Sequence, residues 1–558
     1  MRQWGKKRRA QVAALAVISC VAVGLTGCSS SDSGATSSAG SSAGSGSTTA
    51  GPLLVAADNG SPNFERNFNP YSGTKRTMAT VIYEPLFVLN SMKGELVPFL
   101  GVSYEQPDAK TIVVTLRDSA TWSDDEAFSA DDVTFTYDLL KKFPALDTTG
   151  VWQYIDTVSA AGNKVTITLK EADVPAANIV LTVPIVPKHI WEDVSDPTTY
   201  KDENPVGTGP YVLDKFTATQ YTMKKNETYY QADKVAAPEL TLPASNTQLE
   251  VVNNNYDWAY AYISDVENTW VRAHEGNTYW FPPGGTVAIM PNLTKAPFDN
   301  ADFRRGLSAA LDREKIADTA EEGYVDAAGQ TGLLLPNQDE WLDSSIPDKG
   351  AITQDLDKAK ECFEKAGYTY DGDKLVDSSG QQVSMSLTTP NGWTDWLRGA
   401  QEVQKELTAA GIDVKLNQPQ PAAYYQAQQN GDFDLLLSSF GGTGSIYTDF
   451  NNLLSSSFYQ PIGTATQANF ERYKDSDVDA TLDKLKSATD VDEQKQLGYA
   501  LQQKMYDDVP VIGLFYGGLW GLFSERQYTG WPSADNPYAS PATWGSNPLL
   551  ILTNITAK

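Results

Sequence analysis

Histidine and cysteine are nearly missing from this chain: 558 residues carry two His (His189 and His274) and three Cys. Metal sites are commonly built from clustered His and Cys, and general acid–base chemistry most often from His, so both lose their usual parts. No nucleophile elbow and no glycine-rich phosphate cradle is present either. A hydrolase working with two carboxylates about 5–9 Å apart would escape this filter, so a secreted hydrolase stays as a remote alternative. The expectation is a protein that is not an enzyme and needs no cofactor or metal. Positive charge is short as well, 43 Lys and Arg against 70 Asp and Glu, for a formal net charge of -27. Such a surface repels phosphate backbones and anionic lipid, which excludes nucleic acid as a partner. Internal repeats are absent, so an array or adhesin architecture is not expected, and the body should act as a monomer.

The first apolar run, residues 12–25, is shorter than the roughly 20 residues of a bilayer span. It follows Arg2, Lys6, Lys7, Arg8 and Arg9 and closes on Leu25, Thr26, Gly27 and Cys28. A basic start, a short apolar stretch and small residues before a cysteine form an export signal, and the last four residues resemble the bacterial lipobox. Residues 1–27 are therefore expected to be a lipoprotein signal peptide. Cys28 is expected to carry the lipid, anchoring the exported protein to the outer face of the cytoplasmic membrane. Residues 28–51, almost wholly Ser, Gly, Ala and Thr after the cysteine, have too little apolar surface to order themselves and read as a flexible tether. Cys20 leaves with the signal, so Cys362 stands alone and no disulfide can form. Among its helix-forming neighbours Cys362 reads as a small buried apolar residue rather than a nucleophile. The body beyond the tether is too long for one hydrophobic core and implies two or three domains.

That body is α/β in pattern. Residues 111–116 and 164–169 are β-branched and alternating, hence strands. Residues 129–140 read as a helix capped by Ser129 with Asp131 and Asp132 at its positive end. Helical spacing recurs over residues 300–317, 354–366 (stopped by Gly367) and 396–410. Several motifs lie along this frame: Phe68-Asn69-Pro70-Tyr71, Tyr83-Glu84-Pro85-Leu86, Thr121-Trp122-Ser123-Asp124 leading to Phe128-Ser129-Ala130-Asp131-Asp132-Val133, Gly207-Thr208-Gly209-Pro210-Tyr211, and Pro297-Phe298-Asp299-Asn300 leading to Phe303-Arg304-Arg305. In this order they resemble the family 5 extracellular solute-binding proteins of ABC importers, with Asp125 where the family usually has Gly. The C-terminal stretch at residues 530–539 is closer to the oligosaccharide (cellobiose-type) branch than to the oligopeptide and dipeptide binders.

That resemblance implies a two-lobed periplasmic-binding-protein-like fold, cluster C type, with an extra subdomain in the first lobe and a hinged cleft. The implied layout is a first lobe at 52–296, holding the subdomain at about 83–190, a second lobe at 297–508, and a return to the first lobe at 509–558. Gly207 and Gly209 read as tight backbone positions and Trp122 as a core anchor. Arg304 and Arg305 read as helix-surface or interlobe ion-pair residues. For the ligand, the family's peptide binders carry an Asp for the peptide ammonium after a strand matched here by residues 433–440. The segment beyond it, from Gly441 through Asp449, is glycine-rich and lacks that pattern, leaving room for a bulkier, uncharged ligand. Indole faces stack on sugar rings while Asp and Asn meet hydroxyls. The expected cleft residues are therefore Asn69, Tyr71, Trp258, Tyr260, Trp393, Asp395, Trp396, Gly441, Asp449 and Trp520. The expected ligand is a short cello-, manno- or related oligosaccharide, with a peptide as the alternative, and the expected partners are the permease subunits of an ABC importer.

Overall fold

The computed structural model describes residues 50–558 apart from 59, 61 and 246. The signal, Cys28 and nearly all of the tether lie outside the described residues. Two sheets organise the body. The first has seven strands in the order Asn277–Trp280, Gly521–Ser524, Trp258–Tyr260, Leu53–Ala56, Glu239–Pro243, Gln220–Lys225 and Tyr211–Phe216. Leu53–Ala56 runs parallel to both of its neighbours, and the outer pairs are antiparallel. The second has five strands in the order Asp413–Asn417, Ser384–Thr388, Leu435–Phe440, Pro283–Pro291 and Ile512–Gly518.

Sequence dictates how the second sheet is buried. A strand covered on both faces need not alternate apolar with polar, and Leu435, Leu436 and Leu437 are all buried. Because side chains alternate across a strand, Leu435 and Leu437 enter one core and Leu436 the opposite one. Val287 and Ile289 on the neighbouring strand join the first core, Ala288 and Met290 the second. The strand Pro283–Pro291 therefore belongs to the second lobe, as does Ile512–Gly518. The chain crosses between lobes near residues 281–283 and 518–521, outside the boundaries at 296/297 and 508/509 expected from motifs. Those boundaries followed the opening helix, whereas the lobes are divided by sheet pairing.

Within residues 83–190 a separate four-stranded antiparallel sheet forms in the order Gly101–Asp108, Thr111–Leu116, Lys164–Leu169, Ile155–Ala161. Its register sets Ile112 opposite Ile167 and Val114 opposite Val165, all buried. The helix Ala130–Lys142 packs beside it, and the Ser129 N–H donates to the Asp132 carboxylate at 2.9 Å to close its first turn. At Gly207 and Gly209 a β-carbon would fall 1.9 Å from the Ile82 carbonyl oxygen and 2.2 Å from that of Val81, so glycine is required by close backbone approach. Asp125 has φ of +71°, a left-handed position that explains the family's preference for Gly there. Trp122 is buried, in keeping with a core anchor.

Two helical expectations change. Residues 300–317 form two helices, Ala301–Ala309 and Arg313–Glu321, because Asp312 caps the second by accepting the Lys315 N–H at 3.1 Å. Arg304 is not a surface residue: it is buried and donates to the carbonyls of Phe298 and Val509 at 2.8 and 2.9 Å, tying its own lobe together. Cys362 is buried on the apolar face of Leu356–Lys365, as expected. No helix among the described residues is long and apolar enough to cross a membrane.

Candidate functional site

The lobes meet where the two crossings lie side by side, with Pro283 in register with Gly518. Four glycines, Gly284, Gly285, Gly517 and Gly518, line the floor of a crevice there. Substituents cannot be added freely: a β-carbon on Gly518 would lie 2.6 Å from the Trp520 ring, and one on Gly284 would lie 2.5 Å from Leu519. Trp520 from the return crossing, Asp395 and Trp396 from the start of the helix Thr394–Ala409, and Glu321 from the end of Arg313–Glu321 line its walls, with Val287, Ser439 and Leu519 beside them. Trp520 is held edge-on by Tyr262 and Phe281, each 4.9 Å away between ring centres. Trp396 is held by Trp393 at 4.9 Å. Both lining indoles remain half-buried, which leaves ring surface for a ligand.

Glu321 is the unusual member. It is almost fully buried, its Oε2 has no hydrogen-bond partner, and burial followed by the proximity of Asp395 pushes its pKa up to about 8 against the pull of Arg398. A neutral carboxyl can donate one hydrogen bond and accept others. Glu322, one residue on, behaves oppositely. Its burial is outweighed by the Ser264 hydroxyl, the Asp265 N–H at 3.0 Å, Tyr262 and Arg398, so its pKa lies below the usual value. These contacts join the second lobe to the first at one rim of the crevice, where Arg398 also donates to Tyr262 at 3.2 Å. At another rim Lys486 bonds Glu171 and sits 3.5 Å from Asp173 of the subdomain.

Of the residues expected in the cleft, the crevice brings together Asp395, Trp396 and Trp520, and Gly441 lines an adjoining cavity. Trp393 stands behind Trp396, packed toward Tyr424 and Tyr425. Tyr260 lies in the first lobe with its ring 4.3 Å from that of Trp544. Four expectations are corrected. Trp258, 0% exposed, donates its indole N–H to the Pro541 carbonyl at 2.9 Å because its strand is interior to the first sheet, paired on both sides. Asn69 is buried and its amide donates to the Tyr200 carbonyl at 2.8 Å, while its own side-chain oxygen accepts the Tyr71 N–H at 2.9 Å. Tyr71 is buried with its hydroxyl on the Pro184 carbonyl. Asp449 is buried under the glycine-rich loop, where it accepts from the Thr443 hydroxyl at 2.7 Å, the Thr443 N–H at 3.1 Å and Gln338 at 2.9 Å. Both of its oxygens are thus engaged, by the loop and by Gln338. The sequence pattern did not single out Glu321; the available signal was a pair of acids, Glu321 and Glu322, at the negative end of a helix, where the helix dipole disfavours them.

Comparison with known proteins fits this architecture. Residues 95–463 match the family described as bacterial extracellular solute-binding proteins, family 5 Middle. The oligopeptide-binding protein AppA of Bacillus subtilis is 24% identical over 92% of this chain and 94% of its own length. The nickel-binding periplasmic protein of Escherichia coli is 26% identical over 70% of this chain and 74% of its own. A periplasmic oligopeptide-binding protein of an ABC transporter from Thermotoga maritima superposes with a TM-score of 0.80 at 25% identity, covering 92% of this chain and all of that one. Its crystal structure bound to mannohexaose superposes at 0.71, with 26% identity, covering 91% of this chain and 98% of that one. These relatives are binding proteins. The matched segment, the two-lobed frame and the interlobe crevice agree, and the chain belongs to the family 5 bacterial extracellular solute-binding proteins, which serve ABC importers.

Proposed function

We propose that this chain captures a short oligosaccharide in the interlobe crevice and presents it to the permease subunits of an ABC importer. The observation that carries the reading is the pairing of two indoles, Trp396 and Trp520, with the carboxyl groups of Asp395 and Glu321 above a glycine floor. Indole faces cover the apolar faces of sugar rings, and carboxyl groups meet their hydroxyls, the neutral Glu321 carboxyl as donor as well as acceptor. The glycines let the Trp520 ring and Leu519 close directly over the backbone of the crossing. A relative of the same fold holds mannohexaose, which supports the class of ligand. Ligand touching both walls would favour the closed arrangement of the lobes, and the permease would read that arrangement.

A peptide is the second reading, favoured by the relatives named as oligopeptide-binding proteins. Against it, Asp449 is fully occupied by Thr443 and Gln338 and offers no carboxylate to a peptide ammonium. Calorimetry with manno- and cello-oligosaccharides of two to six units, against di- to pentapeptides, tests the proposal. Micromolar or tighter binding of a sugar series with quenching of tryptophan fluorescence is expected. Binding of peptides alone would replace sugar with peptide as the cargo. The proposed anchor has its own test: Cys28→Ser should release the exported protein from the membrane fraction into the medium.

A further inference from the structure

A second cavity, of about 290 Å³, opens beside the crevice and is walled by Ser439, Phe440, Asn452, Phe458, Phe470 and Glu471, among others. Ser439 also lines the central crevice, and Asn452 and Phe458 also line a groove between the second lobe and the first-lobe residues Tyr154 and Asp173. The cavity is thus a side chamber of the interlobe space. Glu471 is 0% exposed, and neither of its carboxylate oxygens has a hydrogen-bond partner. A buried acid with two unmet oxygens is costly in a core, and an apolar residue would serve packing better.

The loop around it is firmly built. Asn469 and Arg472 both take left-handed backbone angles, φ +48° and +66°, which non-glycine residues adopt only when the surroundings enforce them. The Asn469 amide donates to the carbonyls of Ser455 and Tyr473 at 3.0 and 2.8 Å, and the Leu293 N–H donates to the Glu471 carbonyl at 3.0 Å. Arg472 is the natural counter-charge, yet its guanidinium donates to the carbonyls of Gln429, Gln460 and Phe470 at 2.7, 2.9 and 3.0 Å and makes no bond to Glu471. No Lys or Arg lines the cavity among the described residues.

We infer that this side chamber is a subsite for a cationic amino group carried by the ligand, with Glu471 taking the ammonium and Phe440, Phe458 and Phe470 offering ring faces around it. The inference goes beyond the proposed function, because it holds for an amino sugar within an oligosaccharide and for a lysine side chain within a peptide alike. Burial pushes the Glu471 carboxyl up to about 8, so near neutral pH it arrives protonated. Capture of an ammonium makes it ionise, and its proton passes to the buffer.

Calorimetry of the mature chain at pH 6.5 tests this with two matched pairs of probes. One pair is a glucosamine tetramer and its N-acetylated counterpart; the other is a tetrapeptide with one lysine and the same peptide with norleucine. In at least one pair the amino-bearing member should bind tenfold or more tightly, with close to one proton released per ligand across buffers of different ionisation enthalpy. In Glu471→Gln that preference should shrink below twofold and the proton release vanish, while affinity for the neutral member stays unchanged. Lack of an amino preference in both pairs, including lack of any binding, overturns the subsite. Equal weakening of both members by Glu471→Gln overturns it too, since that marks a packing role. Should the variant fail to fold, the wild-type preference and proton count decide alone. A lysine-dependent response with no sugar binding keeps the subsite and removes the oligosaccharide reading; neutral sugars bound without amino preference do the reverse.

Discussion

Trp258 and Trp520 sit on neighbouring strand segments of the same lobe, yet they do different work. Trp258 is paired on both sides, parallel to Leu53–Ala56 and antiparallel to Gly521–Ser524, so its indole enters the core and its N–H goes to Pro541. Trp520 stands just before Gly521–Ser524 begins, at the crossing, and its ring closes over the Gly518 backbone with part of its surface open. The same side chain is consumed by the core in the middle of a ladder and keeps open ring surface where the ladder stops. The acids divide likewise: both oxygens of Asp449 are met, by Thr443 and Gln338, whereas Glu321 keeps an unmet oxygen at the crevice.

That contrast can be broken by substitution. Trp258→Ala should cost about 3–5 kcal/mol of stability, as removal of a large buried aromatic does, and leave ligand affinity per folded molecule unchanged; chemical denaturation and calorimetry read the two quantities. Trp396→Ala should do the converse, weakening ligand binding by tenfold or more, about 1.4 kcal/mol, with a smaller stability loss. Equal stability losses in the two variants would erase the distinction.

Glu321→Gln sharpens it through pH. The folded-state carboxyl titrates at about 8 and the unfolded one at about 4.5, so the native state keeps a proton the unfolded chain gives up. Its contribution to stability is fully present below about pH 4.5 and declines as pH rises to about 8, where further rise changes nothing. The glutamine variant should lose that decline, and denaturation midpoints at pH 5 and pH 8.5 measure it. The smallest effect is expected at the rim: Glu171→Ala removes a partly exposed ion pair with Lys486 and should cost under about 1 kcal/mol. Small-angle scattering of the unliganded protein should then show a modestly larger radius of gyration.

The frame was legible because it rests on local rules. Alternation in Thr111–Leu116 and Lys164–Leu169, the Ser129 cap and the glycine pair at 207 and 209 each follow from backbone geometry that neighbouring residues determine. The site was legible only in part. Asp395, Trp396 and Trp520 stand out as polar and aromatic residues beside glycines, at places where elements end. Asn69, Tyr71 and Trp258 look the same in one dimension, but what occupies them are carbonyls at Tyr200, Pro184 and Pro541, between 113 and 283 residues away along the chain. Burial by distant segments leaves no trace in a local pattern. Glu471 was silent for the same reason: its lack of partners is a property of the assembled loop.

The two crossings between the lobes run antiparallel and adjacent, as two straps of a door do. A pair of adjacent crossings has the geometry of a hinge. Because the Trp520 ring rests directly on Gly518 of one strap, swinging the lobes apart also shifts that indole, which the proposed reading sets against the ligand. On the proposed reading, opening of the lobes and loosening of that hold are one movement.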